Sequence, residues 1–288
     1  MANPEGNRPP PSLDYWLKPQ VLISALIFSI PAAVAVSLLL SKRSSTVRSS
    51  DLSTTCWKDL HPRWLLLYRA LAFLAMAVLL YQITSSFGLT VFFFYTQWTF
   101  TLEMLYFLVA AILSARRFWI QHKTATTASE LPKDQQLGFP ENAMLIMYQI
   151  SGGAVMLTDI VFWCLLLPFL IDEAFKVTLL IGAIHSVNAV FLIIESSLNN
   201  LPFTWFGLNY FILWSCAYAI FQWTLHACCI SWWPYPFLEL STPWAPLWYL
   251  AMALVHLPCY GAYVMLAKAK DTTFPRMFPQ AFVRAKAE

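Results

Sequence analysis

Charge is scarce in this chain. Asp, Glu, Lys and Arg make up 11% of its 288 residues, against 59% hydrophobic residues, 18 prolines and 13 tryptophans. A soluble domain has roughly a quarter of its residues charged, so a soluble fold is excluded and a polytopic membrane protein is expected. The net charge of +3 tells little about partners by its sign, and no nucleic-acid partner is expected. The cysteines (Cys56, Cys164, Cys216, Cys228, Cys229 and Cys259) show no metal or disulfide spacing. The five histidines are scattered one per segment, without the clustered pairs that membrane di-iron enzymes need. HExxH, G-x-S-x-G, a P-loop and G-x-G-x-x-G are all missing, so neither a metal nor a cofactor is expected. No N-x-S/T acceptor occurs, and the start "MANPEGNRPPPSLDYWLKPQ" lacks a cleavable signal layout. There is no internal repeat and no separate soluble domain.

Long apolar runs are what the chain does have. Seven are long enough to cross a bilayer, which takes about twenty residues: Val21–Leu40, Trp64–Tyr81, Leu89–Leu113, Ala143–Ile171, Val177–Ile194, Thr204–Trp223 and Pro246–Leu266. They predict an all-α transmembrane bundle of about seven spans over residues 21–266, with a flexible polar tail at 1–20 and a cytosolic tail at 267–288. Gly152-Gly153 in the long fourth run predicts a tilt or kink there. Fourteen Lys and Arg residues fall in the segments on one side of the spans, three on the other. The positive-inside rule therefore puts the N-terminus outside and the C-terminus in the cytosol. The loop "SWWPYPFLELSTPWAPLW" reads as an interfacial aromatic belt on the outer side. The ending "RAKAE" resembles a basic retrieval signal, which leaves the endoplasmic reticulum and the plasma membrane both open.

Ionisable groups at mid-bilayer cost about 2.5–3.5 kcal/mol on insertion scales, so each needs a reason. Those inside the runs are Arg69, Glu103, Asp159, His185 and His256. Counting about 1.5 Å per residue puts Thr96, Asp159, His185 and His256 within one to two turns of a common level in the outer half of the bilayer. The stretch "FFFYTQWTFTLEMLYF" (Phe92–Phe107) adds a polar stripe, because Thr96, Thr99 and Glu103 share one helix face. A polar cavity lined by that stripe and His185 is expected. Plainer roles stay open: threonines bond their own helix or glue two helices together. Glu103 and Asp159 could be satisfied by hydrogen bonds or by Arg69, and Arg69 itself could snorkel to the cytosolic side.

Three blocks carry a resemblance: "FFYTQWTF" (Phe93–Phe100), "HSVNAVFLIIE" (His185–Glu195) and "WTLHACCISWWPYPFLE" (Trp223–Glu239). In order and spacing they resemble the androgen-induced multi-pass membrane proteins and their rolling-stone relatives, most closely the plant members. Animal members carry Y-L-T-F, H-T-x-x-x-P-x-x-L-x-E and W-V-Y-P-F-L-E at these places. The likeness runs from about Trp64 to the end of the seventh run, and the first run looks like an addition. It implies an intramembrane threonine hydrolase of fatty-acid esters of hydroxy fatty acids, with membrane lipids as its surroundings and a lipid ester as its substrate. Thr96 is then the implied nucleophile, with Thr99 as the alternative, and His185 the implied partner. Asp159 or Glu103 could orient the imidazole, and His256 joins the cavity. Gln97-Trp98 departs from the T-F-I run toward the T-N-W pattern of the rolling-stone proteins, which are linked to cell fusion. The alternative is therefore a non-catalytic membrane protein serving lipid binding, adhesion, fusion or transport. The oligomeric state stays open.

Overall fold

A computed structural model describes residues 12–41, 47, 51–127, 137–171 and 176–283. Among them helix is the only regular structure, apart from two isolated bridges. The helices are α1 (Leu13–Trp16), α2 (Pro19–Ser41), α3 (Pro62–Phe87), α4 (Tyr95–Thr127), α5 (Phe139–Val161), α6 (Leu179–Ile184), α7 (Val187–Leu198), α8 (Leu208–Cys228) and α9 (Ala245–Met277). Six segments are long and apolar enough to cross a bilayer: α2, α3, α4, α5 with its continuation to Leu170, the α6–α7 pair and α9. The chain is thus a multi-pass integral membrane protein. The sixth predicted run is the 21-residue α8, which has spanning length but falls short of the others in apolar composition. Leu22, Leu26 and Ile30 on α2, and Leu67, Leu71, Leu74 and Val78 on α3, are exposed at helical spacing. Such stripes suit acyl chains as solvent.

The ends of the runs shift for local reasons. Pro62 opens α3 beside a His61 cap that accepts the Arg63 N–H, and Gly88 closes it with φ of 75°. The third run does not start as α-helix: Leu89–Phe93 is 3-10 and Phe94 is extended. Thr96 is therefore the second residue of α4, much nearer the helix end than counting from Leu89 implies. The Phe93 carbonyl, freed by this break, accepts from the Tyr218 hydroxyl and the Gln222 amide. Side chains of α8 thus replace the missing backbone partners, as lipid demands.

The glycine pair does not interrupt its helix. α5 runs unbroken through Gly152 and Gly153, whose missing side chains make room for rings. A Cβ on Gly152 would meet Phe203 at 2.5 Å, and one on Gly153 would meet Phe211 at 2.6 Å. Winding changes later, in a π-helical stretch from Phe162 to Leu170 that contains Pro168. A proline has no N–H for the ladder and its ring crowds the preceding turn, which a wider helix relieves. The fifth run is also broken, between α6 and α7. His185 (φ −110°, ψ 20°) and Ser186 (φ −149°, ψ −40°) leave the helical region there. The Trp163 indole donates to the His185 carbonyl at 2.8 Å, so the freed backbone oxygen is satisfied.

Arg69 does not snorkel. It is fully buried and pairs with Glu195 at 2.7 Å. Its guanidinium also donates to the Leu52 carbonyl (2.8 Å) and to Ser114 (2.6 Å). Glu195 accepts further from Tyr106 (2.9 Å) and Asn199 (3.0 Å). Arg69 therefore satisfies neither Glu103 nor Asp159.

Parts of both expected tails are structured. α1 sets Tyr15 against His226 and Trp16 against Trp223, and α9 continues past the predicted end of its run to Met277. The chain beyond α9 bonds the segment before α3, with Lys58 donating to the Ala281 carbonyl and Val283 to that of Cys56. The retrieval-like ending, and the cations Lys42, Arg43, Arg48 and Lys133 of the orientation count, lie outside the described residues.

Two outcomes follow from this packing. Gly153→Ala is expected to destabilise the bundle by about 1–3 kcal/mol through overpacking against Phe211 and Tyr260. Thermal unfolding in detergent checks it, and an unchanged transition would mean that the rings yield freely. Arg69→Met is expected to cost about 3–5 kcal/mol by leaving Glu195 without its cation. Adding Glu195→Gln should restore part of that loss, whereas strictly additive losses would show that the two residues are not coupled.

Candidate functional site

The site grows from the N-terminal turn of α4. Tyr95 and Thr96 occupy it, and both are more than nine-tenths buried. The first N–H groups of a helix have no partner in their own helix and form the positive end of its dipole. Here the segment after α8 covers them, although the sequence suggests an interfacial belt. Tyr235, Phe237 and Leu238 from "YPFLE" fold inward and are buried. The Tyr235 hydroxyl accepts the Tyr95 N–H at 3.0 Å and lies close to the Thr96 side chain. Burial pushes the Tyr235 phenol up to about 12, so it keeps its proton and remains a donor at neutral pH.

These groups edge a cavity of about 180 Å³ between α2, α4, α5, α8, α9 and the Tyr235 segment. Ile27, Phe28 and Pro31 of α2 form part of its wall. The first span, which looks like an addition in the sequence, is thus built into the site. Most of the lining is aliphatic or aromatic. Its polar side chains include Tyr95, Thr96, Ser215, Tyr235 and His256. Thr158 also lines it, but its hydroxyl is turned to its own helix, at 3.0 Å from the Ala154 carbonyl.

One wall holds a line of hydrogen bonds. The Met252 carbonyl lies 2.6 Å from His256 Nδ1, His256 Nε2 lies 2.8 Å from Ser215 Oγ, and Ser215 Oγ lies 2.7 Å from the Tyr95 hydroxyl. Phe211 packs against the imidazole, with ring centres 4.7 Å apart.

Of the remaining candidates, Asp159 is on α5, Thr99 and Glu103 are on α4, and His185 stands between α6 and α7. The His185 ring, at the break between α6 and α7, stacks on Phe162 with centroids 3.7 Å apart and planes 3° apart. Val161, the residue before Phe162, lines the cavity, whereas His185 is not among the lining residues. No hydrogen bond joins Thr96 to His185 among the described residues, and His185 Nδ1 is buried without a partner. Asp159 accepts from the Asn188 amide at 3.0 Å rather than from the imidazole. Glu103 is fully buried, within electrostatic range of Asp159, and neither of its oxygens has a partner among the described residues. Thr99 is buried within reach of the Tyr95 phenol. The stripe of Thr96, Thr99 and Glu103 therefore faces inward as the helical spacing requires, while the structure divides the candidates between two neighbouring sets. Thr96 and His256 share the cavity; Asp159 and His185 gather around Phe162 and Asn188.

Sequence reasoning passes over Tyr95, Ser215 and Tyr235. Ser215 interrupts the apolar run "FILWSCAYAIF", but a lone mid-span serine looks the same as packing glue. Tyr235 has a signal, since it stands in the third resembling block, and that block meets the first one at this site.

Tyr235→Phe leaves the Tyr95 N–H without its acceptor and should cost about 1–3 kcal/mol of stability. Thermal unfolding in detergent measures it, and an unchanged midpoint would show that this segment does not hold α4 in place. No protein-family model, curated protein or solved structure matches this chain.

Proposed function

We propose that this protein is a lipid-ester hydrolase working from within the bilayer, with Thr96 as nucleophile and His185 as its proton acceptor. The substrates are fatty-acid esters of hydroxy fatty acids or lipids of that class. The observation that carries the reading is the placement of the Thr96 hydroxyl, at the positive end of α4 and on the wall of a mainly apolar cavity inside a membrane bundle. Such a cavity suits an acyl chain arriving sideways from lipid.

In the proposed reaction Thr96 Oγ attacks the ester carbonyl carbon and gives its proton to the imidazole. The carbon–oxygen bond to the leaving alcohol then breaks, and that oxygen takes the proton. Water from the outer face next attacks the acyl-threonine, loses a proton to the same imidazole and restores the threonine hydroxyl. Tyr235 stands ready to donate to the oxyanion, beside the positive helix end.

The role of His185 rests on the resemblance of its block and on two features of its position. It lies at a helix break inside a span, where membrane proteins tend to place functional groups, and its Nδ1 is unpaired. A junction also lets dihedral changes redirect the ring. Lipid binding without turnover is the second reading, and the apolar character of most of the lining favours it.

Purified protein given a fatty-acid ester of a hydroxy fatty acid is expected to release both acids. Thr96→Ala should abolish the release, and His185→Ala should slow it about 10²-fold or more. Thr99→Ala should stay near wild type. A Thr96→Ala protein that still hydrolyses would remove Thr96 as nucleophile. Wild type that binds the ester without cleaving it would leave lipid binding. We place the N-terminus outside, on the charge asymmetry. A glycosylation acceptor engineered within residues 1–11 should then be modified in cells, and one within 284–288 should not; the reverse pattern would invert the topology.

A further inference from the structure

We infer that Ser215 and His256 form a second acyl-accepting pair in the same cavity, with Ser215 as nucleophile and His256 as its base. The inference rests on the reading of the cavity as a site for lipid esters, but not on the roles of Thr96 or His185.

The direction of every proton in the line of hydrogen bonds follows from one carbonyl. The Met252 oxygen can only accept, so the nitrogen 2.6 Å from it, His256 Nδ1, carries the hydrogen. The neutral imidazole then has its lone pair on Nε2, which faces Ser215 Oγ at 2.8 Å. Ser215 donates its hydrogen there, and its oxygen is left to accept from the Tyr95 hydroxyl at 2.7 Å. Nucleophile, base and a fixed group orienting the base are the three parts of an activated hydroxyl. The orienting group here is a helix carbonyl of α9 in place of a carboxylate. Phe211 holds the ring from one side, and Ser215 and His256 both line the cavity.

Packing alone accounts for a serine bonded to a histidine, but it does not require the pair to face an apolar cavity large enough to admit part of an acyl chain. Tyr95 adds a donor beside the reacting oxygen. Its neighbour Thr96 is on the same cavity wall, so an ester lodged there lies near both hydroxyls.

The step balances without a further reagent. Ser215 Oγ bonds the ester carbonyl carbon as its proton moves to His256 Nε2. The bond from that carbon to the leaving alcohol oxygen breaks, and the oxygen takes the proton from Nε2. Water releases the acyl group from Ser215 by the same route in reverse. An alkyl fluorophosphonate tests the first half: Ser215 Oγ bonds phosphorus, fluoride leaves and His256 takes the proton.

The experiment is to treat the purified, folded wild-type protein with that probe and locate the adduct by peptide mass spectrometry. Hydrolysis of a fatty-acid ester of a hydroxy fatty acid is measured alongside. An adduct on Ser215 is expected, with its rate of formation falling about 100-fold in His256→Phe, a change that keeps an aromatic ring against Phe211. Adduct on Thr96 alone, or on neither residue, overturns the inference, as does a Ser215 adduct that forms equally fast in His256→Phe. Wild-type mapping decides the matter even where a variant does not fold. The two readings separate cleanly. Labelled Ser215 without ester hydrolysis defeats the hydrolase proposal and keeps this site. Hydrolysis that depends on Thr96, with Ser215 unlabelled, does the opposite.

Discussion

The ion pair between Arg69 and Glu195 is the constraint on which the rest of the bundle depends. Two charges with no exposure would cost several kcal/mol each if left alone, and in a membrane neither can retreat to water without pulling its helix along. The structure brings them to 2.7 Å and then commits further donors and acceptors to both. Ser114 and Tyr106 come from α4, Leu52 from the segment before α3, and Asn199 from the end of α7. One cluster thus fixes α3, α4 and α7 against each other. With α7 anchored at that end, the break before it and the His185 ring are set in position relative to α5.

The cavity follows from how tightly the rest packs. Gly152 and Gly153 let α5 approach the rings of Phe203, Phe211, Tyr260 and Tyr263 as no larger residue could. Around Tyr95 and Thr96 the packing leaves a cavity, walled in part by α2 and the inward-folded Tyr235 segment. A polar atom on such a wall has few possible partners. The hydroxyls of Tyr95, Ser215 and Tyr235 and the imidazole of His256 satisfy one another or take up free backbone groups. Economy of hydrogen bonding therefore draws these polar side chains together.

Each break in a helix is compensated in the same way. The Phe93 carbonyl is taken up by Tyr218 and Gln222, and the His185 carbonyl by Trp163. Irregular backbone at membrane depth is tolerated when protein supplies the bonds that water cannot. The two breaks flank the functional candidates: one places Thr96 in the first turn of α4, and the other places His185 at a junction.

Hydropathy and run length are enough to locate most of the spans, since lipid imposes both on any crossing helix. The inward face carrying Thr96, Thr99 and Glu103 follows from their spacing, because helix geometry is local and periodic. Arg69 is recognisable as needing a reason, but its partner is not, since Glu195 lies one residue beyond the predicted end of its run. The glycine pair is visible as well, yet whether it bends a helix or admits a ring depends on what packs against it. The break at His185 has no proline to announce it, and the meeting of Ser215, His256 and Tyr95 joins three distant helices. Local composition determined that this chain is a helical membrane protein with polar groups turned inward. Only tertiary packing decided which of those groups touch, because each partner lies far away in sequence and is chosen by the fit of whole helices.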